Sequence, residues 1–191
     1  MDIKELLLKN RSYRRFKQEP ILNKDDLIDL IDSARLSPSA RNDQPLKFIV
    51  LDSKKVCDKI FPFTSWAGYL ENWPGPDEGE RPTSYIIILA DTEVSRKSEI
   101  DVGIMAQSML LTATEKGFGG CMLASIDRIK IRDLFSIDDK YDIPLVVALG
   151  KPAETVIIEN IESDNTHYYR DANSVHHVPK RTLKELIIDI R

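Results

Sequence analysis

Residues 100–124 read IDVGIMAQSMLLTATEKGFGGCMLA, and the reading of this stretch decides the fold. From Ile100 to Lys116, positions Ile104, Met105, Ser108, Leu111, Thr112 and Glu115 follow the helical period, while Ala106, Met109, Leu110 and Ala113 make a second stripe. A helix that is apolar on more than one side is a buried one. It is therefore expected at the centre of the molecule, against a sheet on one face and against another helix or another subunit on the other. Gly117 is placed to cap it, and a strand is expected from about Gly119 to Ala124.

Outward from this unit, helix and strand signals alternate, which points to a mixed α/β or α+β layer arrangement. A short helix is expected over Ile3 to Lys9. A second follows the N-cap Asn23, with Leu27, Leu30, Ile31 and Ala34 on one face and Pro38 beyond its end. Strands are expected at Leu46 to Leu51, Ser84 to Ala90 and Pro144 to Gly150, with short helices after Ser53 and Asp127. Residues 61–83 carry four prolines, three glycines, two tryptophans and a tyrosine without periodicity. Loops of this length are commonly functional, so the stretch is expected to be an ordered aromatic lid, with packing onto the core as the competing reading. Residues 151–178 are polar and look extended. Thr182-Leu183-Lys184-Glu185 then has the spacing of a capping box for a last helix, so residues 151–191 form an arm expected to pack on a partner.

At 191 residues and 42% hydrophobic, the chain can bury one sizeable core, and a single domain over residues 1–191 is expected. Its apolar runs are strand-sized, well short of the roughly 20 residues that cross a bilayer. The opening residues lack the apolar block of a secretory signal, so a cytoplasmic location and no membrane association are expected. Cys57 and Cys121 are too few for a disulfide framework or a zinc cluster, and they read as two buried thiols. His167, His176 and His177 read as surface residues of the tail; no metal is expected. The net charge of −4 argues against a dedicated nucleic-acid binder, although Lys9, Arg11, Arg14, Arg15 and Lys17 cluster locally.

Three segments carry residues suited to chemistry. Arg11-Ser12-Tyr13-Arg14-Arg15-Phe16 offers permanently charged, bidentate donors and a hydroxyl for an anion such as phosphate, unless it is simply a solvated basic turn. Ser37-Pro38-Ser39-Ala40-Arg41-Asn42-Asp43-Gln44-Pro45 offers amides that match the edge of a heterocycle, or else forms a plain turn. Gly117-Phe118-Gly119-Gly120-Cys121 admits close approach to the backbone, by a ligand or within a helix cap feeding a buried strand.

Taken together and in this order, the segments resemble the nitroreductase-like family of FMN-dependent proteins. Residues 11–16 look like its opening R-S-x-R-x-F signature. Residues 38–45 look like its P-S-x-x-N-x-Q-P segment, and the central helix with Gly117-Phe118-Gly119 looks like its core helix and glycine turn. Pro179-Lys180-Arg181 stands where the family places a basic pair. The resemblance spans residues 11 to 181. It implies a nitroreductase-like α+β fold, a mixed sheet flanked by helices, in an intertwined homodimer with FMN where the subunits meet.

Carried over residue by residue, it implies a cofactor site in which Arg11, Ser12, Tyr13 and Arg14 hold the phosphate, ribityl chain and pyrimidine edge. Lys180 and Arg181 would close the phosphate site. Pro38, Ser39, Ala40 and Asn42 would come from the other subunit, and the backbone at Leu123, Ala124 and Ser125 would face the flavin N5 atom. Asn10 stands where family members often carry a further Arg, which puts more of the phosphate binding on Lys180 and Arg181.

The resemblance implies hydride transfer from NAD(P)H through FMN to a small acceptor such as a nitroaromatic or quinone, with no catalytic side chain. A narrower reaction, such as reductive dehalogenation or dehydrogenation, or non-catalytic flavin binding, would share every motif. Among the lid aromatics Phe61, Phe63, Trp66, Tyr69 and Trp73, Trp66 and Tyr69 are the candidates for contact with a planar substrate.

Overall fold

Strand β3 (Ser84–Asp91) is buried along its whole length because both of its faces and both of its edges are covered. In the computed structural model, which describes residues 2–161 and 164–191, it pairs antiparallel with β2 (Leu46–Leu51) on one edge and β5 (Tyr141–Pro152) on the other. Residues 146–149 of β5 pair with β3 and with β4 (Gly119–Leu123) at once, so β3 and β4 must flank it on opposite edges. The two-residue β1 (Phe16–Lys17) joins the end of β5 at Lys151 and Pro152. Every pairing in this five-stranded sheet is antiparallel.

Alternation along β3 divides the core in two. Ile86, Ile88 and Ala90 face the layer of α2 (Lys24–Arg35) and α4 (Glu99–Glu115). Tyr85, Ile87 and Leu89 face α3 (Lys54–Ile60), α5 (Arg128–Phe135) and residues of the excursion. A sheet covered on both faces needs apolar residues at successive positions, which is why Ser84 to Ala90 reads as an unbroken apolar run.

The central helix takes its expected place. Val102, Met105, Ala106, Met109, Leu110 and Ala113 make its fully buried stripe. The half-buried stripe beside it is met by α2, through Thr112 Oγ1 to Ser33 Oγ at 2.9 Å, and by Ser37 just past the end of α2, through Ser37 Oγ to Ser108 Oγ at 2.7 Å. Gly117 ends the turn after the helix with φ +78°, a left-handed conformation open to glycine at little cost. Helix α2 starts at Asn23 with a capping box, in which Asn23 Oδ1 accepts from Asp26 N–H while Asp26 accepts from Asn23 N–H. The opening helix α1 spans Ile3–Lys9.

The excursion over residues 61–83 packs on the core, the competing reading, and takes most of the Trp66 side chain with it, although Trp66 also lines a cavity described below. That side chain is only 7% exposed, stacks on Phe61 at 6.1 Å and donates from Nε1 to Thr64 Oγ1 at 3.0 Å. Gly75, at φ +126°, lies so close that a Cβ there would meet a Trp66 ring carbon at 2.8 Å. Phe61, Phe63 and Trp73 pack in the same cluster, where burial of large aromatic rings stabilises the fold. Tyr69 alone projects outward, 52% exposed and stacked on His167 at 3.9 Å.

The tail is more structured than its polar composition suggests. β6 (Val156–Asn160) pairs in parallel with β8 (His176–Lys180), and β7 (Tyr169–Arg170) pairs antiparallel with β8, giving a separate three-stranded sheet. The last helix, α6, is four residues long (Leu183–Leu186), and Glu185 caps it by accepting from Thr182 N–H at 2.7 Å. Among the described residues, no helix is long and apolar enough to cross a membrane.

Candidate functional site

The segment Asn10 to Phe16 runs beside β4 and is held there by glycines. Ser12 bridges to Gly120 in parallel, Tyr13 N–H donates to the Gly120 carbonyl at 3.0 Å, and Tyr13 Oη donates to the Lys9 carbonyl at 2.9 Å. A Cβ on Gly119 would fall 2.6 Å from the Tyr13 ring, and one on Gly120 would fall 2.2 Å from the Ala148 carbonyl oxygen. The stretch from Gly117 to Cys121 does form a helix end feeding a buried strand, and residues 12 and 13 of the chain itself also approach its glycines closely. Tyr13 is a wedge here and lines neither cavity described below.

Glu154, whose side chain is 1% exposed, fixes the next step of the segment. Its Oε1 accepts from the backbone N–H of Arg14 at 2.5 Å and of Arg15 at 3.2 Å, and its Oε2 accepts from Arg170 Nη2 at 3.0 Å. The Arg170 guanidinium lies 4.6 Å from the Trp73 ring centre, so the excursion reaches the signature segment through Trp73, Arg170 and Glu154. Arg15 makes a second tie. Its Nε and Nη2 donate to the two carboxylate oxygens of Glu80 at 2.5 and 2.6 Å. That bidentate pair raises the pKa of Arg15 and holds the Glu80 carboxyl below its ordinary range.

Two cavities meet on this segment. The first, about 370 Å³, is lined by Arg11, Ser12, Arg14 and Lys180, with Gln107, Tyr168 and His176 among the other walls. The second, about 250 Å³, is lined by Leu123, Ala124 and Ser125, with Trp66 and Cys121. Arg14, Met122 and Tyr168 belong to both, so the cavities adjoin at the Arg14 side chain. Lys180 thus converges with Arg11, Ser12 and Arg14 although most of the chain separates it from them. Arg11 donates from Nη2 to the Leu7 carbonyl at 2.7 Å, its Nε is buried without a hydrogen-bond partner, and burial lowers its pKa. The permanently charged groups that line this polar recess suit an anionic ligand.

Other expected residues stand elsewhere. Arg181 turns to Glu185 at 3.2 Å and Asp164 at 3.6 Å and lines neither cavity. Residues 38–42 also line neither. They are pinned to the start of α4, where Asp101 accepts from Ser39 Oγ at 2.5 Å and Ala40 N–H at 3.0 Å. Arg41, Asn42 and Gln44 take left-handed backbone conformations, so this turn is tightly specified.

His176 is not a surface residue. It is 1% exposed, and burial together with the positive charge of Arg14, Arg170 and His177 pushes its pKa down to about 4. The cause is β8, which carries residue 176 inward beneath Tyr168. His177, next along the strand, faces outward to Glu159 at 2.9 Å and Asp171 at 3.3 Å, and its pKa is raised. His167 is exposed, as expected. Gln107, Glu154, Tyr168 and His176 are the site residues that the sequence reading missed. Only Gln107 carries a local signal, as a polar residue amid the apolar positions of the central helix.

Both thiols are buried. Burial raises the pKa of Cys121 and pushes Cys57 up to about 12, so neither is poised as a nucleophile. Among the described residues, no group of three or more His, Cys, Asp or Glu is arranged to hold a metal ion.

Comparison with known proteins places this geometry in context. Residues 7–151 match the family model described as the Nitroreductase family. A protein of Methanothermobacter thermautotrophicus, provisionally named NADH dehydrogenase/NAD(P)H nitroreductase, is 29% identical over 163 residues, covering 81% of this chain and 79% of its own. The structure of a nitroreductase family protein from Streptococcus pneumoniae superposes with a TM-score of 0.69 at 19% identity, covering 100% of both chains. That of an FMN-dependent nitroreductase from Clostridium difficile gives a TM-score of 0.67 at 24% identity, covering 85% of this chain and 99% of the other. At these identities the two structures establish the fold.

Proposed function

Since the chain belongs to the nitroreductase family, we propose that it is an FMN-dependent oxidoreductase that takes hydride from NAD(P)H and passes it to a small acceptor such as a nitroaromatic or quinone. The observation that carries this reading is the junction of the two cavities at Arg14: cations and a hydroxyl line one side, and the strand end Leu123 to Ser125 lines the other.

The residues present fit FMN. Arg11, Ser12 and Lys180 line the first cavity and supply charge and donors for the ribityl phosphate. Arg14 stands for the pyrimidine edge. At the other end, the Ala124 carbonyl accepts from Arg128 Nη2 at 3.0 Å, and the planar trans peptide therefore directs the Ser125 N–H the opposite way, free of that contact. This is the backbone donor we assign to the flavin N5. Bound FMN supplies the two-electron chemistry, and the chain supplies position and charge. The use of NAD(P)H rests on the names of relatives such as the Methanothermobacter protein.

The same reading makes the active unit a homodimer. Residues 38–42 line neither cavity in their own chain, which suits a part played in the partner's site. Leu183, Leu186, Ile187, Ile188 and Ile190 are exposed at the end of the arm, Ile188 to 99%, and a second copy would cover them. Anaerobic mixing of the purified protein with NADH or NADPH tests the function. Bleaching of the flavin band, and its return on adding a nitroaromatic or a quinone, is the expected result. A bound flavin that neither nucleotide bleaches would leave a flavin-binding protein without this activity.

A further inference from the structure

We infer that His176 and Tyr168 are positioning residues for Arg14, holding its guanidinium at the junction of the two cavities without neutralising its charge. This rests on the flavin reading above and assigns a task to the arm that the signature segments do not contain.

The geometry sets the roles. Arg14 Nη1 lies 3.2 Å from His176 Nε2. A guanidinium has donors and no acceptor, so Nε2 must accept and the imidazole proton must sit on Nδ1. Nδ1 is buried with no hydrogen-bond partner, so this tautomer is held at the expense of an unmade bond. The low basicity of His176 keeps the ring neutral across the physiological range. The Tyr168 ring centre lies 4.8 Å from Arg14 Cζ and 5.1 Å from the His176 ring, so the three groups pack on one another, while Tyr168 Oη accepts from Tyr69 N–H at 3.3 Å. Imidazole and phenol thus both contact the cation, and the Ser12 carbonyl is a further neutral acceptor at 3.3 Å.

Among the described residues, Arg11, on the same cavity, is likewise without a carboxylate and donates to the Leu7 carbonyl, but the other arginines nearby are paired. Arg15 is paired with Glu80, Arg170 with Glu154 and Arg181 with Glu185. Glu154 touches Arg14 too, but through the backbone N–H and not the guanidinium. Among the described residues, no carboxylate pairs with the Arg14 guanidinium. A fixed, uncompensated cation in a partly buried site acts strongly on charge that appears beside it. Reduction adds negative charge at the pyrimidine edge of a flavin, so Arg14 held in this way raises the reduction potential of bound FMN.

The test measures that potential, by equilibration with reference dyes, together with the affinity for oxidised FMN. His176→Asp sets a carboxylate against Arg14 and is expected to lower the potential by about 30 mV or more, a tenfold change for a two-electron couple. His176→Asn keeps a neutral acceptor and is expected to stay within about 10 mV of the parent, on the same scale. Tyr168→Leu leaves β8 untouched and keeps the test decisive should the Asp variant fail to fold; loss of the ring is expected to lower the potential by roughly 10–20 mV. Affinity for oxidised FMN should change less than the potential does, whereas damage to the site as a whole would weaken both. Potentials unchanged in Tyr168→Leu, or lowered equally by Asn and Asp at position 176, would overturn the positioning role alone. Failure of the parent protein to bind FMN would overturn the flavin reading with it.

Discussion

The buried carboxylate of Glu154 accepts the backbone N–H of Arg14 at 2.5 Å, so a residue just past the end of β5 sets the position of the signature segment. Removing it leaves the Arg170 guanidinium buried without its partner as well as two N–H groups without acceptors. Breaking a buried pair in this way costs about 3–5 kcal/mol, and for a chain of this size that lowers the melting temperature by roughly 10 °C. Glu154→Ala should show that loss in thermal unfolding together with weaker FMN binding. Glu154→Gln, which keeps an acceptor, should lose less of both.

Gly120 offers a sharper packing test. A methyl group there would meet the Ala148 carbonyl oxygen at 2.2 Å, and backbone cannot swing aside as a side chain can. Gly120→Ala is expected to cost about 3 kcal/mol or to abolish folding, by overpacking where two strands and the signature segment meet. Gly79→Ala, where nothing lies within 4 Å, is the control and should unfold like the parent.

Trp66 and Tyr69 should separate in their effects. Trp66 is core, and Trp66→Ala should cost about 3–5 kcal/mol in denaturant unfolding. Tyr69 is exposed and sits beside Gly68 and Tyr168, which line the second cavity, so Tyr69→Ala should leave stability within about 0.5 kcal/mol of the parent and change KM for aromatic acceptors more than kcat. An unchanged KM would remove Tyr69 from the substrate's path.

The two histidines of β8 give opposite pH dependences. His176 has a folded pKa near 4, below the unfolded value near 6.5, so between these limits the unfolded chain binds the extra proton. Its contribution makes stability fall as pH drops through that window, by at most about 3 kcal/mol. His177 has a raised pKa, so its ion pairs stabilise the fold below the unfolded value and are lost as pH rises through the folded one. Melting temperatures from pH 7 to pH 4.5 should therefore fall less steeply in His176→Asn and more steeply in His177→Gln than in the parent.

Much of the sheet layer is legible from the chain, because local patterns specify it. Asn23 with Asp26 marks the start of α2, β2 falls on Leu46–Leu51, and the helical period of residues 100–116 puts α4 at the centre. The arm is not legible in this way. β6 and β8 pair in parallel across more than fifteen residues, β7 is two residues long, and none of the three shows the alternation of a half-buried strand. His176 reads as a surface residue because it lies in a largely polar tail, whereas the structure packs it against Arg14, distant in sequence, and Tyr168, just before β7. Glu154 and Tyr168 likewise act through contacts distant in sequence. The signature residues Arg11, Ser12 and Arg14 are legible as anion-binding chemistry, and the supports that hold Arg14 in place are not.

The visible spectrum of the purified protein, taken with its mass in solution, tests the central claim most directly. The account predicts a yellow dimer with two flavin bands and one FMN per chain, released as FMN on denaturation. A colourless monomer that stays colourless after incubation with FMN would contradict it.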